Sequence, residues 1–243
     1  MHQQSKMRYH ANGVGVHIAS IVVNKTAPTL VFLPGMSGEC VEGFRSLSFC
    51  CEEGFNLASL SFRGRGRSST PDSGYTFTDH AADIDLLLRD IECNRVFLIA
   101  NSISTIYAAW YLLNSKPGNV SGVVFVDHPL RVRKYSVGWA DEFVKLTIDG
   151  KSVTLTMRRA AMDAMERESE EVNLYPEYAE LCLPTLVMAA PIGKGLLTEA
   201  DMALFERQKE TSIVAFNESD HFIRLREPEK FRSEIQTFVK SLS

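Results

Sequence analysis

The stretch Arg95–Leu113, RVFLIANSISTIYAAWYLL, decides how the rest of the chain is read. An apolar run of strand length, Val96 to Ala100, ends abruptly at Asn101-Ser102-Ile103-Ser104. An apolar pattern of helix length then runs from Ile106 to Leu113. Ser102 is therefore expected where a buried strand turns sharply into a helix. Such a turn is too tight for bulk two residues either side of the serine, and Ala100 and Ser104 occupy those positions. The pattern is that of a nucleophile elbow, usually written G-x-S-x-G, with other small residues in place of both glycines.

The elbow lies in an alternation of strands and helices. Upstream, Gly15–Asn24 alternates and is β-branched, as an edge strand would be, and Thr29–Leu33 is a continuous apolar run suited to a strand buried on both faces. Pro34-Gly35-Met36-Ser37-Gly38 breaks that run, and Val41–Cys51 has helical character. Asn56–Phe62 reads as the next strand, Arg63–Ser68 as a turn and Thr76–Ile91 as an amphipathic helix. Downstream, Gly122–Val126 is a buried strand ended by Asp127-His128-Pro129. Between 130 and 181 the alternation stops; helical patterns occur at Val137–Leu146 and Val153–Met165, and the charge-rich part from Arg158 to Glu171 reads as a solvated helix face. Strand Thr185–Ala190, a helix near Glu199–Glu210, strand Ser212–Phe216 and helix Pro228–Leu242 complete the chain. The expected fold class is α/β, a mostly parallel central sheet with helices on both faces. Its core would span 14–129 and 183–242 of a single domain, with a small helical cap inserted at about 130–182.

Bulk properties exclude several classes of function. The chain has 243 residues, 45% of them hydrophobic, and a net charge of −4, so nothing favours nucleic acid or an anionic membrane surface. No apolar run approaches the roughly 18–20 residues of a membrane span. The N-terminus has no apolar signal region, and the five cysteines have no metal-like spacing, so reduced thiols and a cytoplasmic protein are expected. No cofactor or metal is expected either, because no His/Cys/Asp/Glu cluster has ligand spacing and Gly64-x-Gly66-x-x-Ser69 lacks the third glycine of a dinucleotide fingerprint. Arg63, Arg65 and Arg67 are read as solvated or salt-bridged turn residues.

A serine hydroxyl needs a base within hydrogen-bond reach. Of the six histidines, His221 is best placed, because it follows the last strand and open α/β sheets put their sites at the carboxyl ends of strands. His80 lies inside a helix and is read as a packing or surface residue. The base in turn needs a carboxylate to orient it. Asp127, at the carboxyl end of the strand after the elbow helix, is favoured over Asp220, which adjoins His221, and over Glu199 and Asp201, which fall at a helix start. The oxyanion of an acyl-transfer intermediate would meet the backbone N–H groups of Ile103 and Met36. Trp139 and Phe143 are candidates for lining a substrate pocket; the alternative is that they form part of the cap's own core.

The order strand–LPGMSG, strand–RGRGRS, strand–ANSIS–helix, strand–DHP and a late SDHF resembles the α/β-hydrolase superfamily over about Gly15 to Leu242. That resemblance implies a Ser–acid–His triad, falling on Ser102 and His221. The segment Met188–Gly195, where the family usually supplies its acid, has no carboxylate. Asp127 matches the position used by members such as the haloalkane dehalogenase group, whose elbow nucleophile is an aspartate rather than a serine. The implied activity is hydrolysis of an ester, thioester or lactone through an acyl-enzyme on Ser102, with a small-molecule acyl substrate. The rival readings are a C–C bond hydrolase or lyase on the same scaffold and a weakly active small-molecule receptor. Nothing in the sequence sets the oligomeric state.

Overall fold

The computed structural model describes residues 6–12, 14–91, 93–148 and 150–242. Eight strands form the central sheet: β1 (Lys6–Asn12), β2 (Val14–Ile21), β3 (Thr29–Leu33), β4 (Asn56–Ser61), β5 (Val96–Asn101), β6 (Val120–Val126), β7 (Thr185–Ala189) and β8 (Thr211–Ala215). Their order is β1-β2-β4-β3-β5-β6-β7-β8. The β1–β2 and β2–β4 pairings are antiparallel, and every pairing from β4 to β8 is parallel. Seven of these strands are legible in the sequence. β1 is not among the expected strands, although its run KMRYHAN alternates polar residues with Met7, Tyr9 and Ala11; it is held by register against β2.

The helices flank the sheet: α1 (Val41–Leu47), α2 (Phe77–Ile91), α3 (Ser104–Ser115), α4 (Arg159–Glu168), α5 (Glu199–Glu206) and α6 (Pro228–Ser241). One apolar layer joins α2 and α3 to the sheet through Ile84, Leu87, Leu98, Ile106, Tyr107 and Val123. The other joins α1 and α6 through Leu47, Phe97, Val124, Phe231 and Ile235. β3 and β4 are buried along their full length, as parallel strands covered on both faces must be. The free cysteines follow the same logic: Cys40, Cys50, Cys51 and Cys93 are buried and Cys182 is exposed.

The segment between β6 and β7 departs most from its sequence patterns. Its base is a two-stranded antiparallel ribbon of Arg131–Val132 and Val172–Asn173. The expected Val137–Leu146 helix contracts to Trp139–Phe143, and a hairpin of Thr147–Ile148 with Lys151–Ser152 follows. The expected Val153–Met165 helix is a short 3-10 turn, Val153–Leu155, then a break, then α4. The break has a cause in tertiary structure. Backbone 156–158 pairs with the loop after β4, through Gly66 N–H to Thr156 O (2.6 Å), Arg158 N–H to Gly64 O (3.0 Å) and an Arg65–Met157 bridge. Those groups are then unavailable to a helix. α4 buries Ala161, Met162, Ala164 and Met165, while Arg159 and Arg167 face solvent as the charge pattern implies.

Candidate active site

Four successive strand ends build the site. In the β5–β6 register Asn101 lies opposite Val126, so Ser102 and Asp127 are the next pair outward. Backbone bonds fix that edge rung by rung. Ser102 N–H donates to Val126 O (2.9 Å), Asp127 N–H to Met188 O (2.9 Å) and Phe216 N–H to Ala189 O (2.8 Å). His221 N–H donates to Lys194 O (3.2 Å), which seats the histidine loop on the segment leaving β7.

Ser102 has φ 55° and Asp127 φ 48°, both in the left-handed region that non-glycine residues rarely adopt. For Ser102 this strain is the elbow itself, with α3 starting two residues later. The small flanking residues serve close packing. Ala100 is fully buried, and the Ser104 hydroxyl donates to Pro34 O. Gly35 packs closely from the opposite side: a Cβ there would lie 3.2 Å from Asn101 Nδ2 and 3.4 Å from Ser102 Cβ.

The three side chains singled out from the sequence meet. His221 Nε2 lies 3.0 Å from Ser102 Oγ, and His221 Nδ1 lies 2.8 Å from Asp127 Oδ2. The carboxylate is fully buried, a state that is costly for a charge without partners. It accepts three hydrogen bonds: Ala190 N–H to Oδ1 (3.1 Å), Leu196 N–H to Oδ2 (3.0 Å) and His221 Nδ1 at Oδ2. The acid-free segment after β7 thus wraps the aspartate supplied by β6. Gly195 makes that possible, since a Cβ there would sit 2.4 Å from Asp127 Oδ1.

The rival carboxylates are engaged elsewhere. Asp220 accepts from Phe222 N–H and Arg226 Nε, and Asp201 binds Arg131, Thr198 and Tyr175. His128, beside the site, has its pKa lowered to about 4, first by burial and further by the nearby His221. Among the described residues, neither the Met36 N–H nor the Ile103 N–H donates to a protein acceptor. Trp139 and Phe143 stack in series with Tyr135, at 4.2 and 4.9 Å between ring centres, and pack on the apolar cluster of Met157, Ala161, Met162 and Met165. Met36 touches the same cluster.

Two features of the site region are not legible in the sequence. His80 is fully buried in α2, stacked on Tyr107 at 4.1 Å, and burial pushes its pKa well down. The three arginines of the turn have three different fates. Arg67 is exposed, and Arg63 forms a bidentate pair with Asp83, at 2.7 Å for the shortest contact. Arg65 is buried, contrary to the expectation of a solvated or salt-bridged residue. No motif marks which arginine in R-G-R-G-R folds inward.

Among the described residues no group of three or more His, Cys, Asp or Glu side chains is arranged to hold a metal ion, and no helix is long and apolar enough to cross a membrane.

A strained serine at a strand–helix turn, with a histidine and an aspartate from later strand ends of a mostly parallel sheet, defines a class that comparison with known proteins names. The model of the α/β hydrolase fold family matches residues 28–235, and the chain belongs to that family. No curated protein sequence matches it. Solved structures similar to it include an esterase from Exiguobacterium antarcticum, at 19% identity and TM-score 0.78 over 98% of this chain and 100% of that one. A bromoperoxidase from Bacillus anthracis superposes at 16% identity and TM-score 0.77, covering 98% and 100%. Est816, described as an N-acyl homoserine lactone degrading enzyme, superposes at 19% identity and TM-score 0.76, covering 96% and 100%. At these identities the likeness is one of fold.

Proposed function

We propose that the protein is a serine hydrolase that cleaves an ester, thioester or lactone of a small acyl substrate beneath a cap formed by about 130–182. The observation that carries this reading is the continuous chain Ser102 Oγ–His221 Nε2–His221 Nδ1–Asp127 Oδ2, at 3.0 and 2.8 Å. A carboxylate can only accept, so Nδ1 carries the proton and Nε2 offers its lone pair to the serine hydroxyl. As Ser102 Oγ attacks the carbonyl carbon, its proton passes to Nε2 and the carbonyl oxygen becomes an oxyanion. The unoccupied N–H groups of Ile103 and Met36 are the donors assigned to it. Collapse expels the leaving group, which takes the proton from Nε2. Water then attacks the acyl-enzyme by the same route in reverse. Asp127 holds the ring orientation and stabilises the imidazolium while it exists.

Trp139 and Phe143 pack on the inserted segment's own apolar cluster, which favours a place in the cap's core over the pocket lining also expected for them. The esterases and the lactone-degrading enzyme among the structural neighbours favour acyl chemistry, and none of them specifies the acyl group. The test is labelling with a fluorophosphonate probe together with hydrolysis of p-nitrophenyl esters. Wild type should label at Ser102, and Ser102→Ala should lose labelling and about 10⁴-fold or more in kcat. Ester hydrolysis undiminished in Ser102→Ala would overturn the reading.

A further inference from the structure

Arg65 is 1% exposed and has no carboxylate oxygen at hydrogen-bond distance among the described residues. Asp83, which feels the charge of Arg65, is hydrogen-bonded through both oxygens to Arg63, and Arg63 also pairs with Asp79, so the two arginines and two aspartates balance as a group. A desolvated cation with only neutral partners is costly unless its geometry is used. The guanidinium meets five neutral acceptors and lies against the Tyr107 hydroxyl as well. Nε donates to Met36 O (2.9 Å) and Nη1 to Arg63 O (2.7 Å) and His80 Nε2 (3.0 Å). Nη2 faces the sulfurs of Met165 (3.1 Å) and Met36 (3.8 Å). His80 is fixed as a neutral acceptor, because its Nδ1 must donate to Thr76 O at 2.8 Å.

Two consecutive carbonyls of the loop after β3 are thereby held. Met36 O is held by Arg65 and Ser37 O by the Thr156 hydroxyl. Thr156 belongs to the segment whose backbone pairs with 64–66, so both tethers run through one ladder. Gly64 allows the inserted segment to rest directly on that ladder, since a Cβ there would lie 2.4 Å from Ala161 Cβ. On the other side of the same loop, Gly35 packs on Ser102.

We infer that Arg65 is a positioning residue for the oxyanion hole. With Thr156 it fixes the loop that presents the Met36 N–H. This rests on the serine-hydrolase reading above. The arrangement also makes the donor geometry depend on how the 156–158 segment is seated, because the cap and the loop share these two anchors.

The experiment compares wild type with Arg65→Met, Arg65→Lys and Thr156→Val. Each rate is divided by the fraction of chains that fluorophosphonate labels at end point, so loss of folded protein does not count. Arg65→Met should lower kcat per labelled site by about 10- to 100-fold, less than or comparable to loss of an oxyanion donor, with KM within about twofold. Arg65→Lys should recover part of that loss, and Thr156→Val should lower kcat about three- to tenfold. Inhibition by an aryl trifluoromethyl ketone, whose hemiketal oxygen is an oxyanion mimic, should weaken in step with kcat. A purely structural residue would change the labelled fraction and leave kcat per site and ketone affinity unaltered, and that result overturns the inference. If Arg65→Met does not fold, Arg65→Lys and Thr156→Val decide by the same criterion. A wild-type chain that does not label at Ser102 overturns the hydrolase reading and this inference together; labelled wild type with unaltered variants overturns this inference alone.

Discussion

Asp127→Asn gives the most direct test of the site, and the structure fixes how the substitution reads. The new amide places its NH₂ at either the Oδ1 or the Oδ2 position. At Oδ2 it would face two donors, Leu196 N–H and His221 Nδ1–H; at Oδ1 it faces only Ala190 N–H. The amide therefore settles with its oxygen toward His221, so the imidazole keeps its tautomer and orientation. What is lost is the negative charge beside the imidazolium. With charge centres about 4 Å apart and an effective dielectric constant of about 20, the interaction is worth about 4 kcal/mol. That corresponds to roughly 10³-fold in kcat. The donor left against Ala190 N–H should cost about 1–3 kcal/mol of stability. The assay is kcat on a p-nitrophenyl ester per fluorophosphonate-labelled site, with urea unfolding measured in parallel. Asp220→Asn is the control, since that carboxylate binds Phe222 N–H and Arg226 instead of the ring, and it should stay within about threefold of wild type. An Asp127→Asn enzyme within tenfold of wild type would refute Asp127 as the orienting acid.

Three further perturbations follow from the same geometry. Gly195→Ala should displace the Asp127 carboxylate, which a Cβ would approach to 2.4 Å, and lower kcat by about 10-fold or more without altering Ser102, His221 or Asp127 itself; unchanged kcat would mean that the 190–196 loop yields freely. His128 has a folded pKa of about 4 against 6.5 unfolded, so the unfolded chain takes up the proton first and stability is lost as pH falls from 6.5 toward 4. Its share is about 2 kcal/mol at pH 5, so His128→Gln should flatten the difference in urea-unfolding free energy between pH 7.5 and pH 5 by that amount, and parallel wild-type and variant curves would count against it. Arg63→Met leaves the buried Asp83 carboxylate without its bidentate partner and should cost about 3–5 kcal/mol in urea unfolding; Arg63→Met/Asp83→Leu should recover much of that, and strict additivity of the two single changes would argue against a coupled pair.

Local signals carried the reading where local physics was enough. A run such as Thr29–Leu33 or Val96–Ala100 is apolar on both faces because the sheet is covered on both faces, so its burial is visible in one dimension. Ser102 was legible because a strand–helix turn this tight limits its neighbours to small residues, and His221 because the last strand ends just before it. Asp127 required an extra step, an argument from strand ends in the absence of an acid after β7. β1 does alternate, with Met7, Tyr9 and Ala11 between polar residues, but so short a run does not say which strand it pairs with; its place is set by its register against β2.

What the sequence alone determined was the alternating α/β architecture and the three residues whose chain positions put them at one sheet edge. These follow from periodicity and strand order, which short stretches encode. Only the tertiary structure decided that the loop 190–196 closes around Asp127, that backbone 156–158 leaves its helix to pair with 64–66, and that Arg65 rather than Arg63 or Arg67 holds the loop after β3 through Met36 O. Each of these is a contact between segments tens of residues apart. It is selected by which buried polar groups can satisfy one another, a condition on the whole fold that no local stretch records.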